Sequence, residues 1–468
     1  MRAVSGVPES AAAIAAAIRE GRTSAREVLE QTLRRISRLD TQLNAFTLVT
    51  SKRAVAEAEA VDAARARGET LGPLAGVPYA VKNLFDIAGE VTLAGSKINR
   101  DDPPATRDAT VIERLHRAGA ILLGALNMGE YAYDFTGENA HVGPSHNPHD
   151  PAHMTGGSSG GSGAAVGGAL VPLALGSDTN GSIRVPSSLC GIFGLKPTFG
   201  RMSRAGCYPF CPSLDHVGPL ARSVTDLALA FDAMQGPDTR DPVCHADAAE
   251  PIAGRLEGEI DDLRVAVLGG YFRQQGSEQA IEAVDRVART LGARHLVELP
   301  ETPRARAAAY LITNAESSNL HLERLRTRAA DYDPDVRDRM LAGALLPATW
   351  TLQAQRFRSW YRREVDRVFE RYDVLLAPAT PMHAPPIGQR HMTLDGQEMM
   401  VRPHLGLYTQ PLSFVGLPVV VVPVHTPGTL PIGVQVVAAP WREADALRVA
   451  AWLERHGFEA PLPAAHKE

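Results

Sequence analysis

The sequence predicts an α/β protein: a single domain over residues 1–468 with a mixed central β-sheet covered by helices on both faces. Three observations carry this expectation. Mainly apolar runs recur at residues 77–82, 171–175, 265–268, 374–377, 418–423 and 432–437, and such runs suit strands buried on both faces. Helical spacing fills the intervals, as at Val284, Val287 and Leu291. The composition, 44% apolar and 22% charged, is that of a soluble globular chain able to bury a large core.

Taken in order, residues 1–70 read as an N-terminal helical layer. Pro8 and Glu9 precede an Ala- and Ile-rich stretch closed by Arg19 and Glu20, so a helix capped near Ser10 is expected rather than an export signal. A second helix opens at the capping box Ser24 and Glu27 and aligns Leu29, Leu33 and Ile36 on one face. The core spans 74–235. It holds the strand at 77–82, a helix from Asp108 to about Gly119 that buries Val111 and Leu115, and a strand at 121–123. The aromatic stretch Tyr131, Tyr133 and Phe135 follows, then a Gly/Ser tract and a helix over 223–234. Residues 236–242, rich in Pro and Asp, read as a surface connection. Strand, helix and strand recur over 263–299, and 304–371 is a mainly helical, arginine-rich region ahead of the last strands.

The formal net charge of -5 leaves no basic footprint for nucleic acid. No apolar run approaches the roughly eighteen residues of a membrane span. Four cysteines, at 190, 207, 211 and 244, show neither CxxC nor zinc spacing and suit reduced thiols in a cytoplasmic protein without a metal. Cys207 and Cys211 are close enough in sequence for a reactive pair, but packing is the expected role.

Chemistry concentrates in residues 156–184, GGSSGGSGAAVGGALVPLALGSDTNGSIR. A flexible linker would not run directly into small-residue helical spacing, a strand and a second turn. A phosphate loop would need GxxxxGK[ST] or GxGxxG, and neither is present. Two serine-bearing turns therefore bracket one strand. A serine hydroxyl is a weak nucleophile without a base, and no GxSxG elbow surrounds Ser182 to suggest a histidine triad. A lysine serves only when neutral, which means lowering its pKa from about 10.4 to roughly 7–8. Lys82 follows Tyr79-Ala-Val81 in a mainly apolar run, although a surface lysine at a strand end fits the same pattern.

The tract and Lys82 together resemble the amidase signature family, and the resemblance extends from Leu74 to the strand ending at Val437. It implies Ser182 as nucleophile, Ser158 as a bridging serine after a cis Gly157–Ser158 peptide, and Lys82 as base. It implies the amides of Thr179, Asn180, Gly181 and Ser182 as an oxyanion hole. One departure stands out: Asn180 occupies a position where the resemblance implies glycine. Lys196 is a rival base, but Pro197 beside it suits a structural turn. Ser159 and Ser162 are expected to bond backbone within the loop, and Asp178 and Arg184 to brace the second turn as an ion pair or caps. Tyr131, Tyr133, Thr155 and Arg324 are candidate substrate contacts, with Arg326 and His321 as further candidates for an anionic group, and the variable region 304–371 shapes the pocket.

Within the family, residues 83–87, 93–100, 176–186 and 439–441 are most like members acting on small carboxylated urea-type amides. That likeness implies ammonia as product, no cofactor and no metal, a small helical partner subunit, and homodimerisation into a heterotetramer. Two other readings stay open: the glutaminase subunit of a tRNA-dependent amidotransferase, separable by glutaminase assays with and without a partner, and a non-catalytic scaffold subunit.

Overall fold

The computed structural model describes residues 10–463. Its centre is an eleven-stranded mixed sheet. In chain order the strands are β1 (Phe46–Val49), β2 (Pro78–Lys82), β3 (Ile121–Leu126), β4 (Leu173–Asp178), β5 (Phe193–Lys196), β6 (His216–Ala221), β7 (Val265–Leu268), β8 (Leu296–Val297) and β9 (Val374–Pro378). A separate hairpin of β10 (His391–Leu394) and β11 (Gln397–Met400) precedes β12 (Val419–Val424) and β13 (Ile432–Ala438). Across the sheet the order is β1-β3-β2-β4-β6-β5-β12-β13-β9-β7-β8. The segment β3-β2-β4 is parallel, the run from β4 to β9 is antiparallel, and β9-β7-β8 is parallel again.

Every residue of β2, β3, β4, β12 and β13 is buried, as expected of strands with helices over both faces. The helix Gly160–Gly167 is wholly buried as well, and its small residues let it lie against backbone. A Cβ on Gly161 would stand 2.5 Å from the Asn127 amide nitrogen and 2.6 Å from the Ala45 carbonyl oxygen. Helices Val224–Met234 and Glu443–Arg455 cover other parts of the sheet. The N-terminal layer is fastened at a helix start: Ala11 and Ala12 donate their amides to the two carboxylate oxygens of Asp226, each at 2.9 Å. The next helix, Ala25–Leu43, carries the expected capping box.

Four elements depart from the sequence reading. The strand expected at 171–175 is displaced toward its C-terminus and runs to Asp178, which carries Ser177 out of the turn and into the sheet. Helix Thr110–Arg117 starts after Asp108, because that carboxylate takes the Arg53 guanidinium at 2.6 and 2.7 Å and the Ala88 amide at 2.8 Å. The N-terminal layer is not purely helical, since β1 pairs antiparallel with β3. The strand expected at 295–299 shrinks to two residues at the sheet edge. Most of residues 304–371 lies in three helices, Thr302–Arg328, Pro334–Ala344 and Ala348–Phe369.

Candidate active site

Parallel pairing of β2 with β4 brings together what the sequence holds far apart. Lys82 ends β2, and Ser177 lies near the end of β4. The Gly/Ser loop preceding helix Gly160–Gly167 delivers Ser158 to the same place, and its Gly157–Ser158 peptide is cis. Lys82 Nζ donates to Ser158 Oγ at 2.6 Å and to Ser177 Oγ at 2.8 Å. The amine is fully buried, and burial pushes its pKa down from 10.5 to about 7, against the pull of the carboxylates Asp178, Asp215 and Asp134. A neutral amine, able to accept a proton, is thus abundant near neutral pH.

Ser182 sits in the turn after β4, 3% exposed. Among the described residues its hydroxyl makes no hydrogen bond, so the Lys82–Ser158 link ends at Ser158 in this resting geometry; such bonds commonly tighten only with substrate in place. The turn itself is clamped from several sides. Thr179 Oγ1 donates to Asp215 Oδ1 at 2.6 Å, Asn180 Nδ2 to Thr313 Oγ1 at 2.9 Å, and Thr409 Oγ1 to the Asn180 carbonyl at 2.6 Å. Gly181 has φ 148°, and a Cβ there would lie 2.2 Å from Thr409 Oγ1, so only glycine fits.

Beneath the turn, Asp178 and Arg184 form a fully buried ion pair. Arg184 reaches both Asp178 oxygens at 2.9 and 3.0 Å, the Thr409 carbonyl at 3.0 Å, Gln435 Oε1 at 2.8 Å and Ser413 Oγ. Burial would raise the Asp178 pKa, but the Arg184 charge and hydrogen bond hold it well below the usual carboxylate range. Lys196 is buried elsewhere in this layer: its Nζ donates to the Pro197 carbonyl at 3.0 Å, and burial beside Arg184 drives its pKa far down. Ser159 and Ser162 do bond backbone, but across to β4, at the Ser177 and Leu175 carbonyls, rather than within their loop.

The other candidates are distributed unevenly. Tyr131 and Tyr133 are buried. The Tyr131 ring packs on His321 at 4.1 Å, Tyr208 at 5.4 Å and Tyr332 at 5.6 Å, while Tyr133 packs on Phe210, carries Arg339 over its ring and donates to Asn314 Oδ1. Thr155 is fully buried and turns its hydroxyl to the Gly156 carbonyl. Arg324 is already engaged: both its bonds to the Asp102 carboxylate are 2.8 Å, and it also reaches Asn99 and Tyr131. Arg326 lies exposed beside Glu323. Burial lowers the His321 pKa to about 4, so its ring is neutral and offers no charge to an anion. Cys207 and Cys211 are free thiols whose pKa values burial raises, and Cys211 donates to Glu316. A cavity of about 140 Å³ reaches the cluster at Ser177, with Tyr208, Phe210, Asp215 and His216 among its walls. Among the described residues no group of three His, Cys, Asp or Glu side chains is arranged to hold a metal ion, and no helix is long and apolar enough to cross a membrane.

Sequence reasoning missed Ser177, Asp215, Thr313 and Thr409. Ser177 was legible only through the parallel register that sets Val81 opposite Leu175; the others reach the site through tertiary contact and carry no local signal.

Comparison with known proteins adds to this geometry. The Amidase family profile matches residues 27–447. The chain is 55% identical to AtzE, the 1-carboxybiuret hydrolase component of Pseudomonas sp. (strain ADP), over 94% of this chain and 97% of that one. It is 38% identical to a glutamyl-tRNA(Gln) amidotransferase component of Chromohalobacter salexigens, over 93% of this chain and 94% of that one. Among solved structures, a chain of the vestigial protein complex bearing on the origins of an s-triazine catabolic enzyme superposes with a TM-score of 0.96 at 54% identity, covering 97% of this chain and 100% of the other.

Proposed function

This chain belongs to the amidase family, whose members hydrolyse amide C–N bonds, and on that premise we propose that it hydrolyses 1-carboxybiuret with release of ammonia. One observation carries the chemistry: a buried amine with a pKa near 7 bonded directly to Ser158. Ser182 Oγ attacks the terminal amide carbonyl while its proton passes through Ser158 to Lys82. The tetrahedral oxyanion is received by the amides of the turn Thr179–Ser182, each such donor being worth about 3–4 kcal/mol in the transition state. The C–N bond then breaks, the proton returns from Lys82 to the departing nitrogen, and ammonia leaves. Water attacks the carbamoyl-type ester on Ser182 by the same route and frees the serine. Neither cofactor nor metal enters this scheme.

The substrate reading is supported by the 55% identity to a component of a 1-carboxybiuret hydrolase. That relative is one component of a larger enzyme, and the structural neighbour is a complex. Both support a partner subunit for this chain as well, which we propose to be a small helical chain on a homodimeric core. For the substrate carboxylate, we favour Arg339 over Arg324: Arg339 bonds the carbonyl oxygens of Asp335 and Tyr133 and lies over the Tyr133 ring, whereas Arg324 is committed to Asp102.

Ammonia release from 1-carboxybiuret, biuret, other urea derivatives, glutamine and an aryl amide tests the reading. Preference for 1-carboxybiuret is expected. Preference for glutamine, stimulated by a partner, would move the assignment to the amidotransferase glutaminase, and no turnover of any amide would favour the scaffold.

A further inference from the structure

Three separate segments around the candidate active site are fastened to one short stretch of one helix. In helix Thr302–Arg328, Thr313 Oγ1 accepts the Asn180 carboxamide at 2.9 Å, Asn314 Oδ1 accepts the Tyr133 hydroxyl, and the Glu316 carboxylate accepts the Ser213 hydroxyl at 2.6 Å and its amide at 3.0 Å. Thus residues 313–316 hold the turn that carries Ser182, the aromatic segment before the Gly/Ser tract, and the loop entering β6.

The Asn180 contact differs in kind from the other two. Asn180 flanks Gly181 in the turn whose amides would face an oxyanion, and among the described residues its carboxamide is the side chain by which that turn bonds the helix. Thr313 is fully buried and Asn180 is 6% exposed, so water does not compete for the bond. The carbonyl of the same residue is held by Thr409 Oγ1 at 2.6 Å, so side chain and backbone are tied to different elements. The arrangement has a cost, for Asn180 Oδ1 is buried with no hydrogen-bond partner among the described residues. Glycine at that position would remove the cost and the link together. A buried, half-satisfied carboxamide calls for an explanation, and the link from its satisfied half to Thr313 supplies one.

We infer that Asn180 is a positioning residue: its bond to Thr313 sets the orientation of the turn amides, so that helix Thr302–Arg328 governs transition-state stabilisation. The inference rests on the amidase reading and on that reading's use of the turn. Amides aimed at charge that exists only in the transition state act on kcat, not on ground-state binding.

Asn180→Gly and Thr313→Val are each expected to lower kcat about 10- to 100-fold with KM within about twofold of the parent, less than the roughly 10²- to 10³-fold cost of losing an oxyanion donor outright, because the amides are re-aimed and not removed. Because the two residues form one contact, the double variant is expected to be no slower than the worse single variant. Thr313→Ser restores the hydroxyl and is expected to restore the rate. Acylation of Ser182 by a fluorophosphonate probe gives a readout that needs no assigned substrate, and the same ordering is expected in its rate. A purely structural role would instead lower the melting temperature while leaving kcat of the folded fraction unchanged. Full activity of Asn180→Gly, or losses that add in the double variant, would overturn the inference while leaving the amidase reading intact. Failure of the parent protein to react with the probe or with any amide would overturn the reading itself.

Discussion

Lys82 owes its proposed reactivity to what surrounds it rather than to its identity. Burial brings its pKa to about 7, so kcat/KM is expected to fall about tenfold per pH unit below that value as the amine takes up a proton in the free enzyme. A pH–rate profile that stays flat from pH 8 to 5 would remove Lys82 from the mechanism. Lys82→Ala is expected to cost about 10²–10⁴ in kcat, the usual range for a general base. Ser182→Ala should abolish both turnover and covalent labelling with no loss of helical circular dichroism, and Ser158→Ala should cost less than Ser182→Ala because water can stand in for one hydroxyl. These three candidates come from the sequence, since a Gly/Ser tract around a strand has few structural uses and the amidase resemblance names the partners; the structure joins Lys82 to Ser158. Ser177 was not, because a polar residue closing an apolar run reads equally well as the start of a turn. Only the sheet register turns its hydroxyl toward Lys82.

Elements fix how firmly those residues are held. The Asp178–Arg184 pair and its further bonds to Thr409, Ser413 and Gln435 join the turn after β4 to β13 and to the segment before β12. Truncating one partner leaves an unpaired buried charge, so Arg184→Met is expected to destabilise the fold by about 3–5 kcal/mol, read from urea unfolding. The double change Asp178→Asn with Arg184→Met should cost less than the sum of its parts. At the N-terminal layer, Asp226→Ala removes two amide contacts from the first turn of helix Ala11–Arg19. A loss of about 1–2 kcal/mol is expected, with hydrogen-exchange protection falling first in residues 11–19. The central strands were readable because burial on both faces makes them continuously apolar. β1 was not: it is four residues long, at most partly buried and set at one edge between two helices, so its short run reads as a connection. The helix starting after Asp108 was misplaced for a related reason, since a capping residue looks the same whether it serves the helix or a distant arginine.

For the whole molecule, a buried lysine of this kind is a burden on stability. Its folded pKa of about 7 lies below the unfolded value near 10.5, so the unfolded chain binds the extra proton between those two limits. Unfolding free energy from this group therefore rises with pH across that window, by up to about 1.4 kcal/mol per unit; the penalty is complete below about pH 7 and gone above about 10.5. Lys82→Met is accordingly expected to stabilise the protein, and by more at pH 6 than at pH 9, in paired denaturation curves. Equal stability at both pH values would mean that the amine is not desolvated. The single-domain α/β plan was legible from strand and helix spacing, whereas which loops meet over the sheet was not, because residues 313–316 join segments more than a hundred positions away. The dryness around Lys82 has a last consequence. Leu84, which lines the cavity that reaches Ser177, is nearly sealed from solvent, and a shortened side chain there that let in a few solvent molecules would restore the ammonium form. Such a variant would keep every reacting atom in position and still fall silent at neutral pH, recovering only in alkaline buffer.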